Sequence, residues 1–276
     1  MTRIVMTTND NEFGRLILDE LHARDIKPDA VLVMLGGFGP IGIPAKKGRP
    51  PRPFIVRWPR AVAGSLRRRF RFHRSRRAWY DERCGRVIVT GHMGTRLLLR
   101  DLDRADPDYL LLGGGGVLTA RFIDTARSGV LNTHPGLLPW MRGSAIIGHA
   151  LEQDVALGAA VHFVNEGIDT GPLILQRLLP ITPGPDSLED LERRGEALAA
   201  RMVAEVLEAV IRGERPVGVP QVEKLPINLW PPASQRDAQR ALAESGRAAE
   251  LFERWRPLSS GEDFTLPAGP FERPDK

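Results

Sequence analysis

The sequence predicts a doubly wound α/β domain, a mostly parallel sheet flanked by helices, with a basic segment set into it and a C-terminal extension. Three observations predict it. Apolar runs such as Ala30–Leu35 are continuous rather than alternating, as expected of strands covered on both faces. Strand-like runs alternate with helix-length stretches, the order of right-handed βαβ units. The densest group of polar chemistry, Asn132 to Arg142, begins where an apolar run gives way to a Pro/Gly-rich loop. That strand-end position is where such sheets hold ligands.

Element by element, Arg3–Thr8 reads as the first strand, and Asn9 to Asn11 supply N-cap residue types for a helix over Glu12–Arg24. Ala30–Leu35 is the second strand. Gly36 to Gly85 opens Gly/Pro-rich and continues basic. Arg86–Thr90 is the third strand, followed by a loop at Gly91–Gly94; Pro107–Leu112 is the fourth, followed by a helix over Thr119–Arg127. Gly129–His134 is the next strand, with a helix near Ser144–Gln153. Ala156–Val164 and Leu173–Ile181 complete the sheet, and Asp186-Ser187 starts a long helix to about Arg212. Residues 1–213 form the expected catalytic domain. Residues 214–276 are the extension: Pro-rich text, one helix around Ser234–Trp255, and a loosely ordered tail.

Composition narrows the class. At 276 residues and 42% hydrophobic the chain holds enough apolar side chain for a core. No apolar run approaches the ~20 residues of a membrane span, and Met1–Met6 reads as a strand rather than a signal peptide. Cys84 is the single cysteine, which excludes a disulfide framework and a cysteine metal site. The expectation is a cytoplasmic enzyme. The net charge of +5 hides an asymmetry: Ala45–Arg86 carries fifteen Lys/Arg against Asp81 and Glu82, and the remainder is net acidic. Basic residues interleaved with aromatics between Leu66 and Tyr80 suit phosphate contact and stacking, whether on nucleic acid or on a nucleotide-sugar, and equally a solvated helix.

The chemistry lies in Asn132, His134 and Asp169, the last in the glycine-flanked turn Glu166–Pro172. When an amine attacks a formyl carbon, negative charge grows on the carbonyl oxygen and a proton must pass from the attacking nitrogen to the leaving one. An Asn N–H stabilises the oxyanion without reacting. A His either donates to it or shuttles the proton, and a carboxylate beside the imidazole orients it. No Ser or Cys nucleophile stands next to His134, so direct transfer fits better than a covalent acyl-enzyme. His149 and His162, on a helix and a strand, read as structural.

Asn132-Thr133-His134-Pro135-Gly136-Leu137-Leu138-Pro139 with Arg142-Gly143 resembles the signature of the folate-dependent formyltransferases, whose members act on glycinamide ribonucleotide, methionyl-tRNA and amino-sugars. Val161–Ile174 is similar to that family's second block, and Asp169 lies 35 positions after His134, a spacing that suits it. The resemblance covers Pro107 to Gly213 well and implies a Rossmann-like fold. It implies 10-formyltetrahydrofolate as donor and catalytic roles for Asn132, His134 and Asp169. The pterin is then expected against main chain at Leu112, Gly113, Gly114 and Gly115, and at Val164, Asn165, Glu166, Gly167 and Ile168, where glycine permits close approach. Asn9, Asp10 and Arg142 are the candidate acceptor contacts. By comparison with compact members Gly36–Gly85 is an insertion, and Thr7–Glu12 replaces the phosphate loop of the glycinamide ribonucleotide enzymes with two acids, a poor phosphate cradle.

The resemblance therefore implies transfer of a formyl group to a primary amine of a small molecule, such as an amino-sugar nucleotide. A formyltetrahydrofolate hydrolase is the alternative, although such enzymes carry an N-terminal regulatory domain for which the chain has no room. A tRNA-directed transferase gripping its substrate through residues 45–86 is a third, weakened by the lack of strand-patterned text for a C-terminal barrel. A degenerate binding protein fits least, because all three polar residues are present. The sequence leaves the oligomeric state open.

Overall fold

A computed structural model describes residues 2–35, 72, 74–91, 95–114, 118–221 and 225–268. It divides into two compact units, Met1–Ser128 and Gly129–Lys276. Most of the basic insertion, together with Gly115, lies outside the described residues.

The first unit runs β1 (Ile4–Thr8), α1 (Glu12–Ala23), β2 (Ala30–Met34), α2 (Arg77–Arg83), β3 (Val87–Thr90), α3 (Arg96–Ala105), β4 (Tyr109–Gly113) and α4 (Ala120–Ile123). Its strands are parallel in the order β4-β1-β2-β3. Every residue of β1, β2 and β4 is buried, which is why these runs are apolar without alternation. Asn11 caps α1, its side-chain oxygen accepting from the Gly14 amide at 2.8 Å. The sequence reading overlooked α3. Charges crowd it, yet Leu98, Asp101 and Leu102 share a buried face, and Thr90 donates to the Asp101 carboxylate at 2.7 Å. The helix expected over Thr119–Arg127 contracts to the single turn Ala120–Ile123.

The described end of the basic insertion turns its aromatics inward. The Tyr80 ring is fully buried, 5.3 Å from Phe72, and its hydroxyl donates to Asp10 at 2.9 Å. The Arg83 guanidinium lies over the Trp79 ring and pairs with Asp19. Phe72 and Tyr80 are therefore core side chains, not a stacking surface.

The second unit runs β5 (Gly129–His134), β6 (Arg142–Gly143), α5 (Ile146–Glu152), β7 (Gly158–Phe163), β8 (Leu173–Leu178), α6 (Leu188–Ile211), β9 (Ile227–Asn228), α7 (Ala233–Glu244), α8 (Arg247–Trp255) and β10 (Thr265–Leu266). Here the strands β5-β7-β8-β10 pair antiparallel, an antiparallel portion of the expected fold class that the sequence did not distinguish. The connection from Phe163 to Leu173 holds no helix, so the chain turns straight back instead of crossing over. Ser187 caps α6, accepting from the Asp190 amide.

The extension also differs from its reading. Its one expected helix is two, parted at Ser245-Gly246, where Gly246 takes a left-handed φ of 83°. The tail is structured as far as β10, which pairs with β8. Within the same unit Trp255 is fully buried with its ring edge-on to Trp140 at 5.3 Å, and the short β9 pairs with β6. Among the described residues no helix is long and apolar enough to cross a membrane.

Candidate active site

Alternation along β5 separates two jobs. Thr133 faces α6 and donates to the Ala199 carbonyl at 2.7 Å, while Asn132 and His134, two residues apart, share the opposite face. Register then supplies a residue that local pattern could not. Antiparallel pairing sets Asn132 directly opposite His162, and Asn132 Nδ2 lies 3.1 Å from His162 Nε2.

The tautomer of His162 follows from its other nitrogen. Nδ1 is 2.7 Å from the Phe163 carbonyl oxygen, which only accepts, so Nδ1 carries the proton. Burial holds the imidazole below its ordinary pKa, with the nearby His134 acting in the same direction and Asp169 against it. The neutral ring therefore presents the Nε2 lone pair to Asn132. The amide nitrogen is fixed toward His162 and keeps a second N–H.

His134 is buried, and its Nε2 donates to the Met141 carbonyl at 2.6 Å. That leaves Nδ1, 3.8 Å from Asp169 Oδ2, as the nitrogen able to gain or lose a proton toward the carboxylate. Asp169 Oδ2 also accepts from the Gly143 amide at 2.8 Å, and Oδ1 is 3.7 Å from His162 Nε2. The carboxylate thus sits among a main-chain donor and two imidazoles, on a residue whose φ is 51°. The three residues singled out by sequence meet at this cluster. His162, read as structural, joins them; cross-strand register was the missing signal.

Other expected positions fall as follows. Val164 to Ile168 form the loop leading to Asp169, and Asn165 through Ile168 are exposed. Asn165 Oδ1 accepts from the Gly167 amide at 3.0 Å and from the Thr170 hydroxyl at 2.6 Å, folding the turn. In the first unit Leu112 is buried in β4, and Gly113 and Gly114 answer to packing. A Cβ on Gly113 would strike the Met6 side chain, and one on Gly114, at φ 124°, would come within 2.9 Å of Asn9 Oδ1. Asp10 is bound by Tyr80 and Arg15. Arg142 is buried, with Nη2 3.5 Å from Gln221 Oε1. Among the described residues no group of three or more metal-ligating side chains gathers.

Residues 92–207 match the formyl transferase family model. Methionyl-tRNA formyltransferase of Aromatoleum aromaticum is 38% identical over 117 residues, 42% of this chain and 36% of that protein. Phosphoribosylglycinamide formyltransferase of Haemophilus influenzae is 38% identical over 104 residues, 34% of this chain and 49% of its own length. The chain thus spans about a third to a half of these curated relatives. Among solved structures, a sugar N-formyltransferase from a Shewanella species superposes with a TM-score of 0.55 at 15% identity, covering 95% of this chain and 90% of its own. Glycinamide ribonucleotide transformylase 1 from Symbiobacterium toebii gives 0.52 at 24% identity, covering 80% and 95%. These likenesses show the shared fold. Residues 92–207, the stretch similar to the formyl transferase family, carry the asparagine, both histidines and the aspartate of the cluster.

Proposed function

We propose that this chain transfers a formyl group from 10-formyltetrahydrofolate to a primary amine of a small molecule, without a covalent enzyme intermediate. The observation that carries the reading is the convergence of Asn132, His134 and Asp169 on one polar cluster. Bound donor supplies the formyl carbon that the amine attacks. The exposed loop at Asn165–Ile168 is the candidate pterin contact, because main-chain groups suit a heterocycle whose edge alternates donors and acceptors. Gly113 and Gly114 have a packing reason of their own and add no support.

The residues divide the work. His162 holds Asn132 Nδ2, and the second N–H of that amide is the donor for negative charge growing on the formyl oxygen. With Nε2 of His134 committed to Met141, the oxyanion role falls to Asn132 and proton traffic to the pair His134 Nδ1 and Asp169. The Gly143 amide donates to the carboxylate and fixes its orientation.

For the acceptor, the loop after β1 supports something other than a bare phosphate ester. Its Asp10 carboxylate is held by Tyr80 and Arg15, so the loop sets its nearby cation against an acid instead of offering it to a phosphate. An amino-sugar or a comparable biosynthetic amine fits. The test is release of tetrahydrofolate from the donor, followed by absorbance, first alone and then with small-molecule amines. Release that requires an amine supports the transferase. Equal release without any amine makes the chain a hydrolase and overturns the reading.

A further inference from the structure

We infer that Gln221 is a positioning residue for Asp169, supplied from outside residues 92–207; this rests on the formyl-transfer reading above. Gln221 lies 52 residues after Asp169, yet its Nε2 donates to the Asp169 carbonyl at 3.1 Å and to the Gly171 carbonyl at 2.7 Å. One amide nitrogen spends both its protons on two carbonyls that flank Thr170. Its oxygen faces the buried Arg142 guanidinium at 3.5 Å, which orients the amide so that nitrogen, not oxygen, meets the loop.

The loop needs such a restraint. Asp169 has a φ of 51°, a left-handed conformation that a residue with a Cβ holds only when its surroundings impose it. Two residues before Gln221, Val219 exchanges both main-chain hydrogen bonds with Leu173 at 2.8 Å each, which seats the glutamine against the loop. In β9, Ile227 and Asn228 pair with Arg142 and Gly143. Gly143 is the residue whose amide donates to Asp169 Oδ2. Gln221 therefore holds Asp169 by its backbone, and β9 holds Gly143, whose amide meets the carboxylate. Gln221 touches none of the reacting atoms proposed here; it acts through Asp169.

Gln221→Met keeps the length of the side chain and removes both donors, while Gln221→Glu keeps its shape and sets a carboxylate oxygen against two carbonyls. Both should melt near the wild-type temperature. Amide exchange measured by NMR on the full chain is expected to rise about tenfold or more at Gly143 in either variant, as the loss of two hydrogen bonds implies. Turnover with donor and amine should fall by a similar factor, with KM for the donor little changed. Unaltered exchange at Gly143 in both variants overturns the inference, and so does loss of folding in both, which makes Gln221 a residue of the whole fold. If wild-type protein releases no tetrahydrofolate under any condition, the formyl-transfer reading fails on its own, and exchange at Gly143 still decides whether Gln221 positions Asp169.

Discussion

Four side chains within reach of one another carry the proposed chemistry, and two of them, Asp169 and His162, have distinct expected failures. Asp169→Asn keeps the size of the residue and removes the proton acceptor beside His134; turnover should drop roughly 10²–10⁴-fold with the melting temperature retained. Turnover within a few fold of wild type would rule out the proton role. His162 makes a prediction about stability. Burial lowers its proton affinity in the fold, so as pH falls below about 6.5 the unfolded chain takes up a proton that the native chain refuses. This residue's contribution is intact above that pH and declines as pH drops toward its lowered folded pKa. Between pH 7.5 and 5.5 the melting temperature of wild type should therefore fall further than that of His162→Gln. Cys84 is the opposite case, a titratable group with no part in the site: burial pushes its thiol up to about 11, so alkylation of the native protein at pH 8 should be slow beside a free thiol. At this scale the sequence was legible for Asn132, His134 and Asp169, because unusual residue types stood at strand ends. It was silent on His162, whose role exists only opposite Asn132.

Among elements, local rules carried as far as local physics reaches. The caps at Asn11 and Ser187 and the helices they start were readable from residue type and spacing. Ser187→Ala should cost about 1 kcal/mol in thermal unfolding. The helix α3 escaped notice because Arg96, Arg100, Asp101, Asp103 and Arg104 mask an apolar face of only a few residues. The direction of β7 and β8 also escaped, since periodicity reports burial but not which way a strand runs. The two-residue pairing of β6 with β9 has no periodic signal at all, yet it sets Gly143 in place. Gly143 has a φ of 105°, and a Cβ there would collide with the Asn228 carbonyl oxygen. Gly143→Ala should lower stability by about 1–3 kcal/mol and weaken turnover by moving the amide off Asp169, seen as a lower melting temperature and a lower kcat.

At the scale of the whole molecule, the text after Gly213 reads as an appendage but belongs to the second unit. It supplies β10 to the edge of β8, Trp255 against Trp140, Gln239 against Gly148, and Gln221 to the Asp169 loop. A chain ending at Gly213 should lose the cooperative thermal transition of that unit and bare the edge of β8, which favours aggregation; a truncated protein that melts like the full chain would refute this. What the sequence by itself determined is the kind and order of the chemical groups, their places at strand ends, and the parallel sheet of the first unit. These depend on neighbours a few positions apart, where periodicity and capping act. Only the tertiary structure decided which groups meet. The antiparallel return of β7 brings His162 across 30 positions to Asn132, and the pairing of Val219 with Leu173 brings Gln221 across 52 to Asp169. Such pairings are selected by packing and hydrogen-bond satisfaction over the whole unit, and no local stretch of sequence encodes them.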